Sequence, residues 1–301
     1  MSAKNRENKA FIQSRTNMKK SIILFCLSTT FSSDADLEDL LITEVTVIPT
    51  EGEFIEIHNA GLNSVDLSDV YLTDATFANG NTFYYQIVEN GGGGGGFLDF
   101  YSRFPTGSSI AAGEYQTIAL NGSTDFVNEY GVNPTYEMFE DAAAADSVPD
   151  MLEARTGSIN GLDSGLSDAG EVVVLLYWDG QSDLVQDLDY VLWGDKDEAI
   201  DKTGISIDGP DINTLDSTYT NDTPISSQTV VDSDSHGFER SWQRIDLFEI
   251  TEILTGGNGI NGNNETSENL SFAFEELPST PNAAASITIM DIIFIDGFEP
   301  N

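Results

Sequence analysis

Residues 171–193 read EVVVLLYWDGQSDLVQDLDYVLW, and this stretch decides the fold. Residues 171–178 form a nearly continuous apolar run that has the length of a β-strand and is rich in β-branched side chains. Asp179 and Gly180 then make a strong turn signal, and residues 183–193 supply a second run of strand length. The stretch therefore predicts a β-hairpin.

Strand patterns recur on the N-terminal side of this hairpin. Residues 53–58 (EFIEIH) alternate, so that Ile55 and Ile57 share one face of a predicted strand. Helical periodicity is scarce, and only residues 138–145 or 142–153 favour a short helix. Further strands are predicted at residues 41–48, 65–72 and 114–120. The pattern as a whole predicts an all-β sandwich.

The loops between these strands are long. We expect insertions near 77–105, 123–165 and 195–238, all of them polar. The first contains residues 90–96 (NGGGGGG), which have no packing side chain and predict a flexible connector.

The order of these elements resembles the lamin tail domain family. The resemblance lies in TEVTVIP (43–49), GEFIEIHNAGLNSVDLSDVYLTD (52–74), IAAGEYQTIAL (110–120), LSDAGEVVVLLYWDGQ (166–181) and SWQR (241–244). It implies an immunoglobulin-like β-sandwich with long loop insertions over residues 36–284. In exported bacterial proteins such domains occur alone or joined to nucleases, phosphatases or adhesive modules, and we recognise none of those enzyme domains in this sequence. The insertions depart from the family pattern.

Charge narrows the classes of partner. The chain has 51 Asp and Glu against 12 Lys and Arg, a formal net charge of −39. Nucleic-acid binding needs clustered Lys and Arg, and anionic membrane surfaces repel so acidic a chain. We therefore predict that the partner is neither a nucleic acid nor an anionic lipid surface.

The positive charges are concentrated at the N-terminus. Six of the 12 Lys and Arg lie in the first twenty residues. From Met18 the sequence reads MKKSIILFCLSTTFSSDA, which has the basic, apolar and small-residue regions of a secretory signal peptide. We predict a signal peptide over 18–35. Met18 is then the true start of the protein, and residues 1–17 are an extension that does not belong to it.

The signal predicts a secreted or cell-surface protein with no stable membrane insertion after cleavage. The sole cysteine, Cys26, lies within the signal, so disulfides are not expected. At the other end, residues 285–301 form a tail with an Asp-Gly-Phe-Glu motif. This motif resembles short tails on exported proteins of gammaproteobacteria. The tail is interpreted either as a sorting or docking signal or as a final edge strand.

Hard-cation binding is the chemistry that the composition favours most. Calcium binds six to eight oxygen ligands, and acidic loops supply them. Asp232 and Asp234 open a loop that has Gly237 at the sixth EF-hand position, although His236 and Gln243 occupy the fifth and twelfth. A second cluster (Asp195, Asp197 and Asp201) and a third (residues 258–265) are weaker candidates. A solvated turn is the alternative in each case. We predict structural calcium at Asp232 and Asp234 and no other cofactor.

Two further residues stand out on the strand at 53–58. Glu56 is a tempting acid, but no partner carboxylate follows from spacing. We predict instead that Glu56 accepts a hydrogen bond from the backbone of a neighbouring loop. His58 is expected to be a surface histidine.

These observations favour a non-catalytic module over an enzyme. No serine-hydrolase elbow, P-loop, zinc-protease motif or dinucleotide fingerprint occurs in the sequence. We predict an exported β-sandwich with a binding or structural role, whose partner is an unidentified protein or polysaccharide surface. The alternative is a metal-dependent extracellular hydrolase with its site in insertion 123–165 or 195–238.

Overall fold

The computed structural model describes residues 34–76, 83–89, 92–96, 98–141, 146–159 and 165–285. The expected extension at 1–17, almost all of the signal peptide and the tail from residue 286 onward lie outside these ranges. In chain order the strands are β1 (Leu40–Thr46), β2 (Phe54–Asn59), β3 (Val65–Asp66), β4 (Val70–Thr73), β5 (Tyr101–Arg103), β6 (Ser109–Ile110), β7 (Tyr115–Ala119), β8 (Tyr136–Glu137), β9 (Leu152–Glu153), β10 (Gly170–Tyr177), β11 (Gln186–Gly194), β12 (Ser206–Ile207), β13 (Ser217–Thr218), β14 (Arg240–Arg244) and β15 (Phe274–Pro278).

Helices are short and few among the described residues. The α-helices are α1 (Asp34–Leu37), α2 (Ser123–Tyr130) and α3 (Leu270–Ala273). The 3₁₀ helices are Thr50–Gly52, Tyr84–Val88, Ile225–Ser227, Ile260–Gly262 and Glu265–Ser267. In the described part of the chain, no helix is both long enough and apolar enough to cross a membrane.

The strands form two main sheets. One sheet has the order β15-β14-β1-β2-β7-β8, and the other has the order β11-β10-β4-β5-β9. Neighbours in both sheets are antiparallel except β7 and β8, which are parallel. Two small ribbons, β12-β13 and β3-β6, complete the strand pairing of the described residues.

The predicted hairpin is confirmed as β10 and β11. The two strands pair from Gly170 opposite Gly194 to Tyr177 opposite Gln186. Gly180, in the connecting turn, has a φ of 75°, a left-handed conformation that glycine adopts without steric cost.

The two main sheets enclose the core. Trp193 of β11 and Trp242 of β14 are fully buried, and their ring centroids lie 5.2 Å apart across the two sheets. The β10 side chains from Val172 to Leu176 are fully buried as well. The prediction of an all-β sandwich is confirmed.

The alternation of β2 is also confirmed, but both faces of the strand are buried. Ile55 and Ile57 belong to the main core, whereas Phe54 packs on the opposite face. There its ring meets Phe126 and Tyr130 of α2 edge-on, at centroid distances of 5.6 and 5.3 Å. Helix α2 therefore covers the outer face of the six-stranded sheet.

The helix predicted at 138–145 or 142–153 is wrong for the described residues. Residues 138–141 and 146–151 have no helical structure, and Leu152–Glu153 is a strand. The helix of this insertion is α2, which ends at Gly131 in a left-handed conformation.

The described part of the glycine-rich segment, residues 92–96, is packed and not the flexible connector that was predicted. Gly92 and Gly93 are buried, and a Cβ on Gly92 would lie 2.3 Å from the carbonyl oxygen of Gln86. The Arg155 guanidinium also donates to the Gly92 carbonyl at 2.9 Å. The predicted insertion near 77–105 contains β5, which belongs to the five-stranded main sheet, so its last residues are part of the sandwich and not of a loop.

Candidate functional site: an acidic cleft beside strand β8

Strand β8 anchors the insertion at 123–165 to the edge of the six-stranded sheet. It pairs with β7, with Tyr136 opposite Ile118. The Glu137 N–H donates to the Pro149 carbonyl at 3.1 Å, and the Glu137 carbonyl accepts from the Met151 N–H at 2.8 Å. The backbone of Glu137, where the loop after β8 begins, is therefore bonded to the backbone at residues 149 and 151, where that loop ends.

A cleft of about 830 Å³ lies beside this strand. Its polar lining is dominated by carboxylates, and among the described residues no Lys or Arg lines it. The apolar part of the lining consists of Met138, Phe139, Met151 and Ile159. The six acidic residues are Glu51, Asp125, Glu140, Asp141, Asp150 and Glu153.

Helix α2 fixes one wall of the cleft. The Asp141 carboxylate accepts from the Thr124 N–H at 2.9 Å and from the Thr124 hydroxyl at 3.0 Å. The first turn of a helix has unpaired N–H groups and a partial positive charge, both of which favour an anion. Asp141 is thus held in place before any ligand arrives.

Glu140 of the cleft lining converges with two further carboxylates, those of Glu137 and Asp146. One carboxylate oxygen from each of Glu137, Glu140 and Asp146 lies within 4.8 Å of the other two. Ser123 connects two of them, because its N–H donates to Glu137 Oε2 at 2.7 Å and its hydroxyl donates to Asp146 Oδ2 at 2.9 Å. Burial, together with the charges of Asp146 and Asp141, raises the pKa of Glu137 to about 7.

The predicted calcium ligands Asp232 and Asp234 lie elsewhere. Both are exposed, and Asp232 Oδ1 accepts from the Asp234 N–H at 3.1 Å, which closes a local turn. Neither residue belongs to the three groups in which acidic side chains converge in the described chain. His236, the fifth residue of that loop, is buried, and its Nε2 accepts from the Val47 N–H at 2.8 Å. Calcium binding at Asp232 and Asp234 stays a prediction.

The second cluster of the sequence, around Asp195 and Asp201, does not converge. Asp195 Oδ1 accepts from the Asp197 N–H and Asp201 Oδ1 from the Thr203 N–H, each at 3.0 Å. These are separate turns, as the alternative interpretation expected. Another convergent group, Asp183 with Asp208 and Asp211, occurs in a neighbouring loop.

The third candidate, residues 258–265, contributes one acid to a buried cluster. Glu265 is buried, and one of its oxygens lies within 4.8 Å of oxygens of Asp189 and Glu249. Arg244 enters the same cluster, with one guanidinium nitrogen 2.7 Å from Asp189 Oδ2 and another 2.6 Å from Glu268 Oε1. Because this cluster contains its own cation, we assign it to stability.

The two polar residues of β2 have structural roles. Glu56 Oε2 accepts from the Asn282 N–H at 2.7 Å, so the predicted positioning role is confirmed. The prediction of a surface His58 is wrong. His58 is buried, stacks on Tyr115 at a centroid distance of 3.9 Å and bonds through Nδ1 to the Glu114 carbonyl.

Sequence reasoning placed an alternative site in insertion 123–165 but did not identify the cleft residues. The available signals were Phe126 and Tyr130, four residues apart, and the Gly131 that follows them. They would have predicted α2, and with it the wall of the cleft.

Comparison with known proteins places few limits on this site. No family model and no curated protein matches the chain. The crystal structure of a DUF4876 family protein from Bacteroides thetaiotaomicron VPI-5482 is similar, with a TM-score of 0.48 and 14% sequence identity. The alignment covers 83% of this chain and 75% of that chain. These comparisons add no support to the lamin tail resemblance.

Proposed function

We propose that this chain is an exported, non-catalytic, lamin-tail-like β-sandwich module that binds a positively charged segment of another protein in its acidic cleft. The observation that carries the proposal is the lining of the cleft, to which the described part of the chain contributes six carboxylates and no Lys or Arg. Such a surface attracts cationic partners and repels anionic ones.

The apolar residues of the cleft support a peptide over a simple cation. Lys and Arg have long aliphatic stems that pack on apolar surface while their charged ends reach a polar rim. Phe139 and Ile159, which are only partly buried, offer such a surface between the carboxylates. A basic peptide would therefore use both parts of the lining.

Sequence order supports the lamin-tail-like assignment. The resembling segments at 52–74, 110–120 and 166–181 coincide with β2 to β4, β6 to β7 and β10. The basic leader at 18–35 supports export. The strongly acidic composition fits a module that meets basic partners outside the cell.

Peptide binding to two matched double variants tests the proposal. We expect a Lys- and Arg-rich peptide to bind the wild-type chain, and the same peptide with Glu in place of the basic residues not to bind. Asp150→Asn with Glu153→Gln removes two charges from the cleft. Because each exposed charge contributes about 0.5 to 1 kcal/mol, binding should weaken about fivefold to thirtyfold.

The control double variant carries Asp195→Asn and Glu275→Gln. Both acids are exposed and neither lines the cleft. Affinity measured by calorimetry should be unchanged in this control and should fall with added salt in the wild type. Equal weakening in the two double variants would mean that net charge, and not the cleft, attracts the peptide.

A metal-dependent hydrolase is the second candidate. The observation that favours it is the convergence of Glu137, Glu140 and Asp146 inside insertion 123–165. Hydrolysis of esters, phosphodiesters or glycans that EDTA abolishes, and that Glu137→Gln impairs, would replace the binding proposal.

A further inference from the structure

The acidic group at Glu137 differs from the exposed turns of this chain in how its members are held. Glu137 lies on β8 with its backbone paired on both sides. Asp146 and Glu140 come from the loop that follows, and the Asp146 N–H donates to Glu140 Oε2 at 3.1 Å. A rigid strand and a loop thus present carboxylates to one point.

The spacing of the oxygens matches the size of one ion. Two ligands that each lie about 2.4 Å from a calcium ion can be at most about 4.8 Å apart. One oxygen from each of Glu137, Glu140 and Asp146 falls within 4.8 Å of the other two. Each pair of these oxygens therefore meets the distance limit for two ligands of one calcium ion.

An independent observation points to a ligand at this place. Glu137 has no exposed surface, and its Oε1 atom has no hydrogen-bond partner, although its Oε2 atom accepts from the Ser123 N–H. A buried carboxylate oxygen without a partner is costly, and native proteins seldom tolerate one. A bound cation would satisfy this atom and offset the repulsion between the three acids.

We propose that Glu137, Glu140 and Asp146 bind one hard divalent cation, calcium. The donors are all oxygens, with neither the thiolate nor the imidazole that zinc prefers. Calcium accepts irregular oxygen sets, whereas magnesium demands a near-ideal octahedron. The ion would tie the loop after β8 to the strand and to the start of α2, through Ser123.

The two proposals share Glu140, which lines the cleft and belongs to the calcium group, but they are tested through different residues. The peptide proposal is tested through Asp150 and Glu153, whereas the cation proposal is tested through Glu137 and Asp146. Either can fail while the other stands.

Calorimetric titration of the full chain with calcium chloride tests the proposal, and magnesium chloride serves as the comparison ion. Glu137→Gln keeps an acceptor for the Ser123 N–H and removes the charge, so it should fold as well as the wild type when calcium is absent. We expect Glu137→Gln and Asp146→Asn each to weaken calcium binding at this site more than about tenfold. The number of ions bound per chain should then fall by one.

The matched control is Asp211→Asn, which alters another convergent acidic group. Asp211→Asn should leave the site at Glu137, Glu140 and Asp146 intact. Calcium should therefore still raise the melting temperature of this control, as it does for the wild type. The proposal is overturned if the wild-type chain shows no saturable calcium binding, or if Asp146→Asn and Glu137→Gln bind calcium as tightly as the wild type. Preference for magnesium over calcium would overturn the choice of ion.

Discussion

Arg244 shows how a single residue can hold the two sheets together. It lies on β14 and is fully buried. Its Nε donates to the Ile42 carbonyl on β1 at 2.9 Å, and its guanidinium pairs with Asp189 on β11 at 2.7 Å. Asp189 Oδ2 in turn accepts from the Ile42 N–H at 2.6 Å. One ion pair therefore links strands of both sheets.

The surrounding acids are compatible with this cation because burial keeps several of them protonated. Burial, together with the charge of Asp189, raises the pKa of Glu249 to about 9 and that of Glu252 to about 8. At neutral pH these two carboxyl groups are mainly neutral. Burial also raises the pKa of Glu268 to about 7, so Arg244 chiefly compensates Asp189 and the ionised fraction of Glu268.

Removal of the Arg244 charge should therefore destabilise the protein strongly. Arg244→Met leaves Asp189 and Glu268 buried without their cation, and such a loss costs about 3 to 5 kcal/mol. Arg240, on the same strand, pairs with Glu276 at 2.6 Å, with both side chains more than a third exposed. Arg240→Met should cost less than about 1 kcal/mol. Urea unfolding followed by tryptophan fluorescence measures both, and equal losses would contradict this assignment.

At the scale of elements, Lys202 attaches the insertion 195–238 to the sandwich. Its ammonium group is fully buried, 2.5 Å from Asp187 of β11 and 3.1 Å from Asp222. The same nitrogen donates to the Tyr84 hydroxyl of the 3₁₀ helix Tyr84–Val88 at 3.0 Å. Two insertions and one core strand therefore meet at this charge.

Lys202→Met should loosen the insertion before the sandwich unfolds. The substitution leaves Asp187 and Asp222 without a cation, at a cost of about 3 to 5 kcal/mol. Limited proteolysis should then cut within 195–238 faster than in the wild type, with the cut sites identified by mass spectrometry.

Lys196→Met is the matched control for this change. Lys196 is only partly buried, and its ammonium group donates to the Gln228 carbonyl. The control should lose about 1 kcal/mol and keep its resistance to protease. Rapid cleavage of the control as well would show that the loop opens without loss of the buried pair.

Local patterns predicted the strands well because a buried strand carries its own signal. The runs at 171–178 and 53–58 became β10 and β2 within a residue or two at each end. The cleft could not be predicted in this way, since it depends on α2 covering β2 and on the two-residue strand β8. Ser123 connects Glu137 with Asp146, and no spacing in the sequence encodes that contact.

The calcium prediction at Asp232 and Asp234 rests on composition and stays a prediction. An Asp-rich stretch such as 232–237 has the composition of a calcium loop, but Asp also favours turns for reasons of local hydrogen bonding. The turn at Asp232 shows the local bond, and the convergent carboxylates come from residues that are distant or unremarkable in sequence.

On the scale of the whole molecule, buried glutamates attach loops to the six-stranded sheet. Glu44 accepts from the Thr280 N–H at 2.9 Å, Glu56 from the Asn282 N–H at 2.7 Å, and Glu53 from the Leu166 N–H at 3.3 Å. Burial raises the pKa of Glu44 to about 7 and that of Glu53 and Glu56 to about 8. Because the pKa values of these three glutamates differ between the folded and unfolded states, the free energy of unfolding depends on pH.

The direction of that dependence follows from proton binding. Between the unfolded pKa of about 4.5 and the folded values of 7 to 8, the native state holds protons that the unfolded chain has released. The free energy of unfolding must therefore decrease as pH rises through this window. We expect a loss of several kcal/mol and a fall in melting temperature of about 10 °C from the acidic to the alkaline end, in the presence of a chelator. Glu56→Gln should flatten the profile, whereas Glu275→Gln, on the exposed part of β15, should leave it unchanged. A melting temperature that rises with pH in chelator would show that these glutamates ionise in the folded state.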